Sequence, residues 1–262
     1  MRATAWQVIR RVLLSAVCIY VGLSMVNTWR RSRPDTTWAT IQQTGVIRVG
    51  MDVSFPPFAA VIDGKPAGID VDVAEAIGER LHARVEIVTV GFDGLYDALL
   101  NKRVDILISA LAFDPARLGS FLYSRPYFDA GQILVSRDGA FQMMPQLEGR
   151  TVAVEYGSVA DEVVRQWERR LKALNVVRLT TTEDALKAVS AGTVDAALVD
   201  VVSARLYRRQ HGDLMLAAAT VESDNYGVVF RRSSYDLVEV VNRALDAMEA
   251  DGTLANLLAH WL

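Results

Sequence analysis

Cysteine is almost missing from this chain. The one cysteine, Cys18, sits inside an apolar N-terminal stretch. The remainder therefore has no disulfide and no thiolate metal site. Histidine is nearly as scarce. His82, His211 and His260 are scattered, with no two at ligand spacing, so the pattern implies no zinc centre and no other metal or cofactor. Low-complexity tracts are missing too. Acidic residues are absent from residues 1–33, which carry six arginines; beyond them 22 basic residues face 31 acidic ones, a net charge of −9. That balance excludes nucleic acid as a partner of the folded part. What is present suits a globular protein: 262 residues, 51% apolar and 23% charged, enough for two modest lobes with a core each.

The N-terminus reads as a targeting segment. Val12–Trp29 is eighteen residues without a charge, and Arg10-Arg11 precede it. This is the pattern of an export signal or a membrane anchor. The small residues of Gly22-Leu-Ser24 permit cleavage. Against cleavage, apolar sequence continues through Met25-Val26, and Arg30, Arg31 and Arg33 follow at once. At ~1.5 Å per residue, such a run just spans a hydrocarbon core ~30 Å thick. Val17 is too large to precede a lipid-bearing cysteine, which argues against lipidation of Cys18. With either fate of the segment, the folded part is expected to work in the periplasm or outside the cell, tethered to the inner membrane if the segment stays on.

Two stretches ninety residues apart match. Ala98-Leu-Leu-Asn-Lys-Arg-Val-Asp105 and Ala188-Val-Ser-Ala-Gly-Thr-Val-Asp195 share a leading Ala, an apolar neighbour and a closing Val-Asp. Each ends an amphipathic run, Phe92–Asn101 or Thr182–Ala191, and opens an apolar one, Ile106–Ile108 or Ala196–Val199. Both read as helix, tight turn, buried strand. A unit used twice predicts two α/β lobes. Beyond the first strand lie Ser109 and Arg117; beyond the second lies Asp200. Ligands of open α/β sheets sit past the carboxyl ends of strands. One lobe thus offers a cation to a cleft and the other an anion, a pairing that suits a small zwitterion.

The rest of the pattern fills in these lobes. Val46–Met51, Val85–Val90, Thr151–Glu155, Asn175–Leu179 and Gly227–Phe230 read as strands. Asp63-Gly64 signals a hairpin. Asp70 is placed to cap a helix over Val71–Leu81. Tyr127–Val135 reads as one long strand leaving the first lobe. Helices are expected over Val159–Leu174, Val201–Gln210, Tyr235–Asp251 and Thr253–Trp261. The turn Tyr156-Gly157-Ser158 opens one of them and offers free N–H groups to a carboxylate.

These residues, in this order, resemble the bacterial extracytoplasmic solute-binding proteins of the polar amino acid class (family 3), which feed ABC importers. The resemblance runs from Ile41 to Leu262. It rests on Gly45-Val-Ile-Arg-Val-Gly50, Asp52, Phe55-Pro-Pro-Phe58, Gly68-Ile-Asp-Val-Asp72, Val104-Asp105, Arg117, Tyr127-Phe128, Val152–Ser158, Val194-Asp195 to Asp200, Asn242-Arg-Ala-Leu245 and Asp251-Gly-Thr253 near Trp261. It implies an α/β, two-lobe periplasmic-binding-protein fold (type II), with the ligand cleft between lobes. Lobe one would take 40–130 and 224–262, lobe two 131–223, after a signal or anchor plus linker over 1–39. The implied partners are an amino acid and the membrane permease of an ABC transporter. No cofactor and no catalytic residue are implied.

The resemblance also implies roles. Arg117 matches the arginine that grips an α-carboxylate, and Asp200 the aspartate that takes an α-ammonium. Phe55 and Phe92 match aromatic walls, and Asp52 an acid near the ligand's side-chain end. Ser109, Ala110 and Ala112 match backbone or hydroxyl contacts; Ser158 and Val159 match the second-lobe turn. Two positions depart from the pattern. Ala112 stands where a hydroxyl is common, which removes a donor. Asp114 stands where Thr is common, three residues before Arg117; it can pair with Arg117 or cap a helix. Asp52, Glu155 and Asp200 against Arg117 tilt the expected ligand toward polar or cationic amino acids. Two other classes share the pattern: a periplasmic dehydratase, with Glu155 or Asp52 recruited, and a membrane-tethered sensor domain.

Overall fold

The computed structural model describes residues 36–262. The targeting stretch Val12–Trp29 and Cys18 lie outside the described residues. Among the described residues, no helix is long and apolar enough to cross a membrane.

The chain opens with helix α1 (Thr36–Thr44), strand β1 (Val46–Met51) and the hairpin of β2 (Ala60–Ile62) and β3 (Lys65–Ala67). The Asp63-Gly64 turn has positive φ at both residues, the conformation two-residue hairpins favour. Helix α2 (Ile69–Leu81), strand β4 (Arg84–Thr89), helix α3 (Leu95–Leu100), strand β5 (Ile106–Leu107) and strand β6 (Phe121–Asp129) follow. Next come β7 (Gln132–Ser136), β8 (Thr151–Glu155), α4 (Val159–Glu168), β9 (Asn175–Leu179), α5 (Thr182–Ser190), β10 (Ala196–Asp200), α6 (Val201–His211) and β11 (Met215–Leu216). The chain ends with β12 (Asn225–Arg231), α7 (Tyr235–Ala250) and α8 (Thr253–Trp261).

Apart from the β2-β3 hairpin, these strands form two five-stranded sheets, ordered β4-β1-β5-β12-β6 and β11-β7-β10-β8-β9. In the first, β1 is parallel to β4 and β5, and β12 runs antiparallel to β5 and β6. In the second, β8 is parallel to β9 and β10, and β7 is antiparallel to β10. Ala196–Val199 in β10 is wholly buried, as expected of a strand covered on both faces.

The duplicated sequence unit forms the same device twice. In the first copy Lys102 has φ 59°, in the second Gly192 has φ 71°, and each N–H bonds back to the carbonyl three residues earlier. The next N–H, of Arg103 or Thr193, bonds to the carbonyl of Ala98 or Ala188. This doubled pattern closes a helix through one left-handed residue. Val104 and Val194 then enter the core. Each closing aspartate locks the next strand: Asp105 Oδ2 accepts the Arg48 N–H at 2.9 Å, and Asp195 Oδ2 accepts the Thr151 N–H at 2.7 Å.

Three expectations need correction. Tyr127–Val135 is not one strand: β6 belongs to the first sheet and β7 to the second, with a break at Ala130-Gly131. Here the chain runs beside its own return segment. Ala130 and Gln132 donate to the carbonyls of Asp224 and Glu222, both at 2.8 Å, and Gly131 donates to Asp129 Oδ1 at 2.9 Å. A Cβ on Gly131 would lie 1.9 Å from the Glu222 oxygen, so only glycine permits this approach. Asp70 does not cap α2. Gly68 occupies that place, and Asp70 is buried one residue inside the helix. Helix α4 stops at Glu168, six residues short of Leu174. The chain must turn there to bring Asn175 beside Arg150, whose carbonyl takes the Asn175 N–H at 2.9 Å.

Candidate functional site

The parallel strands β1, β4 and β5 end on one edge of the first sheet, and β8, β9 and β10 end on one edge of the second. The expected site residues fall at or just beyond these two edges.

At the first edge Asp52 is a junction. Its N–H donates to Ser109 Oγ at 3.0 Å. Oδ1 accepts the N–H and hydroxyl of Ser54, and Oδ2 accepts the Phe92 N–H at 2.8 Å. The Ser54 hydroxyl, with the backbone donors of Ser54 and Phe92, outweighs burial and holds this carboxyl below its usual range. Asp52, Phe92 and Ser109 are thus joined directly. The Asp52 carboxylate is held in place by these neutral donors and keeps its charge.

Phe55 and Phe92 are 53% and 58% exposed, so neither is core. Phe55 stacks on buried Phe58 at 5.6 Å between ring centres. Ala110, after buried Ser109, has φ 48°, a costly region for a residue with a side chain. Ala112 bridges to Tyr226.

Arg117 ends a single 3₁₀ turn, Pro115–Arg117. Asp114 does both things the sequence allowed: Oδ1 caps that turn through the Ala116 N–H, and Oδ2 lies 3.1 Å from Arg117 Nε. The guanidinium sits 4.0 Å from the Tyr96 ring centre. Tyr96 and Tyr123 share a hydrogen bond of 3.4 Å, and Phe113 packs edge-on against Tyr123 at 5.2 Å. Burial pushes the Tyr123 hydroxyl well above its ordinary value, so it stays a neutral donor. Tyr96, Tyr123 and Phe113 are residues that reading the sequence missed. One signal was available: Tyr96 lies four residues after Phe92, which opens the 3₁₀ turn Phe92–Gly94 leading into α3.

At the second edge Asp200 ends β10 and caps α6, its Oδ1 accepting the Ser203 N–H at 2.8 Å. It is half-buried, and one carboxylate oxygen remains outside the cap bond. Ser158 caps α4 through the Asp161 N–H at 3.2 Å, and Val159 is 55% exposed. Tyr156, which the sequence reading did not weigh, is the most exposed of the large apolar side chains at 70%. Glu155 is committed elsewhere: its Oε2 accepts the N–H and hydroxyl of Thr182 at the start of α5. Among the described residues no ion pair joins Arg117 to Asp200, and no three His, Cys, Asp or Glu side chains are grouped to hold a metal.

Such an arrangement offers a guanidinium on an aromatic shelf at one edge. At the other it offers a half-buried carboxylate and a helix N-terminus. PatH of Vibrio harveyi, provisionally named an amino-acid ABC transporter-binding protein, is 31% identical over 229 residues, 85% of this chain and 91% of its own length. The L-cystine-binding protein TcyJ of Escherichia coli K12 is 27% identical over 84% of each chain. Among solved structures, a mutant of ArgBP from T. maritima superposes with a TM-score of 0.52 at 33% identity, over 86% of this chain and 98% of that one. The profile of one family matches residues 47–262, and the chain belongs to that family: the bacterial extracellular solute-binding proteins, family 3.

Proposed function

We propose that this protein binds an amino acid outside the cytoplasm, closes over it, and delivers it to the membrane permease of an ABC importer. The observation that carries the reading is the placement of opposite charges. Arg117 lies beyond the carboxyl ends of one sheet and Asp200 ends a strand of the other. An arginine fixes a carboxylate through two parallel bonds. An ammonium leaving water needs an anion. We assign lobe one to 40–130 and 224–262 and lobe two to 131–223, with the hinge at Ala130-Gly131 and its return strand. Phe55, Phe92 and the Ser109–Ala112 loop are assigned to the ligand on lobe one, and Ser158 and Val159 on lobe two.

The ligand class proposed is polar or cationic amino acids. TcyJ is named for cystine, and the sole basic group assigned to the site, Arg117, is reserved for the α-carboxylate. No enzymatic step is proposed. Of the two acids that could serve one, Asp52 holds local donors on both oxygens and Glu155 holds Thr182 on Oε2. The segment 1–39 is assigned to export, with tethering to the inner membrane if it is retained; N-terminal sequencing of the exported protein decides between the two. A thermal-shift screen over the standard amino acids, ornithine and cystine tests the function. A ligand at 100 times its dissociation constant adds about 2.7 kcal/mol. Stabilisation by polar or cationic members supports the reading. Stabilisation by glutamate or aspartate alone refutes the ligand class, and chemical conversion of a bound compound refutes the binding-only reading.

A further inference from the structure

Asp70 belongs to the Gly68-Ile-Asp-Val-Asp72 motif, and the binding reading gives it no task. Its side chain is 1% exposed. One oxygen accepts the Tyr127 hydroxyl at 2.6 Å; the other, Oδ2, is buried without a hydrogen-bond partner among the described residues. No cation pairs with it there. A buried carboxylate with one hydroxyl donor, one oxygen left over and no counter-charge is costly, so the group favours its protonated form. Burial, opposed by Tyr127 and Ala110, pushes it up to about 7.

Its surroundings tie it to the site. From the loop after β5, the Ala110 N–H faces both Asp70 and Tyr127. That places the pair directly under the left-handed residue of the Ser109–Ala112 loop. Tyr127 lies on β6, two residues before Asp129, whose carboxylate binds Gly131, Thr220 and Asp224 at the lobe crossing. From β12, Tyr226 faces Asp70 and Asp200 together; burial first, then Asp224, Asp70 and Asp200, push its hydroxyl up to about 12. On α2 itself, Asp72 turns to α8 and takes the Trp261 indole N–H at 2.7 Å. The Phe58 segment meets Asp70 only through its carbonyl, which accepts the Asp70 N–H. The titratable groups facing Asp70 are therefore two neutral phenols.

We propose that Asp70 and Tyr127 form a proton-linked positioning pair beneath the Ser109–Ala112 loop, so that binding of an amino-acid carboxylate above the loop is coupled to uptake of a proton by Asp70. This rests on the assignment of that loop and Arg117 to the carboxylate. An anion arriving above the loop disfavours a second anion below it. By linkage, whatever raises the proton affinity of Asp70 on binding makes affinity fall as the pH rises through neutrality.

The test is calorimetry of the full chain with L-arginine, L-glutamine and L-cystine at about pH 7, in two buffers of different ionisation enthalpy, alongside carbon NMR of the Asp70 carboxyl. The wild type should take up part of a proton per bound amino acid. Its affinity should fall on the order of fivefold from about pH 6 to about pH 8, the low end of inter-site coupling. Asp70→Asn should bind with no proton uptake and a flat pH profile. Tyr127→Phe, which removes the donor, should move the carboxyl titration upward. Buffer-independent heats in the wild type, or equal uptake in Asp70→Asn, would overturn the coupling. A carboxyl titrating in the ordinary carboxylate range overturns the pair whatever binds. Binding of none of the three probes, with Asp70 still titrating near neutrality, overturns the amino-acid reading and the coupling but not the buried acid.

Discussion

Arg117 leans on the Tyr96 ring and on Asp114, and both contacts bear on how it would grip a carboxylate. Its guanidinium carbon lies over the ring face, 4.0 Å from the ring centre. Asp114 is a neighbour that a ligand carboxylate would have to displace or share. Arg117→Lys keeps the charge but neither lies flat on Tyr96 nor offers a fork. Binding of the amino acid should weaken about tenfold or more, as expected for losing part of a charge-assisted pair worth ~1.5–3 kcal/mol. Calorimetry checks it, and unchanged affinity would remove Arg117 from the site. Individual residues were legible in sequence when their partners were local, as with Asp114, which could pair with Arg117 or cap a helix and does both. They were not legible when the outcome depended on who came near. The contact of Thr182 with Glu155 Oε2 depends on where α5 begins in space. The Phe92 N–H on Asp52 comes from forty residues away.

At the scale of elements, the repeated helix-turn-strand unit was readable because its signals are local. Apolar spacing, a turn residue and a closing Val-Asp mark it. Its two copies differ where the backbone is left-handed, with Lys102 in one and Gly192 in the other. Lys102→Gly should raise stability by up to about 1 kcal/mol, since a left-handed L-residue costs ~1–2 kcal/mol and glycine returns part of that as unfolded-state entropy. Gly192→Lys should lose a similar amount, about 1 kcal/mol, from the left-handed backbone alone, because the Arg137 guanidinium that its Cβ would meet at 2.7 Å ends a flexible side chain and can move aside. Urea denaturation of both variants tests whether the turns are equivalent. Helix α4 carries a second test. Asp161 is buried at its first turn and takes bonds from Gly157, Arg165 and Arg178. Burial alone would raise its carboxyl, but those donors bring it down to about 2. Because the folded value lies below the ordinary one, its contribution is complete above about pH 4 and is lost as the pH falls toward about 2. Asp161→Asn should destabilise the protein by roughly 2 kcal/mol, the linkage value of a carboxyl brought from its ordinary range down to about 2, and flatten the acid limb of its stability profile. The break in Tyr127–Val135 was hidden for the opposite reason. It depends on a return strand more than ninety residues away, which local periodicity does not encode.

The whole molecule is two sheets joined by a crossing so close that only glycine fits at Gly131. Two α/β lobes could be foreseen from the duplication. The expected place of their junction, at 130/131 and 223/224, came from the family resemblance and not from residue patterning, because the backbone hydrogen bonds between segments 129–132 and 221–224 carry no side-chain signature beyond Asp129. The proposed mechanism lives at this scale. If Arg117 and Asp200 hold opposite ends of one zwitterion, the ligand itself is what draws the lobes together. A ligand shifts that equilibrium only by its differential affinity for the two forms, and Asp200 would supply much of the difference. Asparagine caps helices about as well as aspartate, so Asp200→Asn keeps α6 intact while removing the charge. The most direct measurement is small-angle scattering of wild type and Asp200→Asn, each saturated with the amino acid that gives the largest thermal shift. The wild type should compact on binding, while the variant should bind weakly and keep its ligand-free dimensions. Equal compaction in both would contradict the two-lobe clamp and leave Asp200 as a helix cap alone.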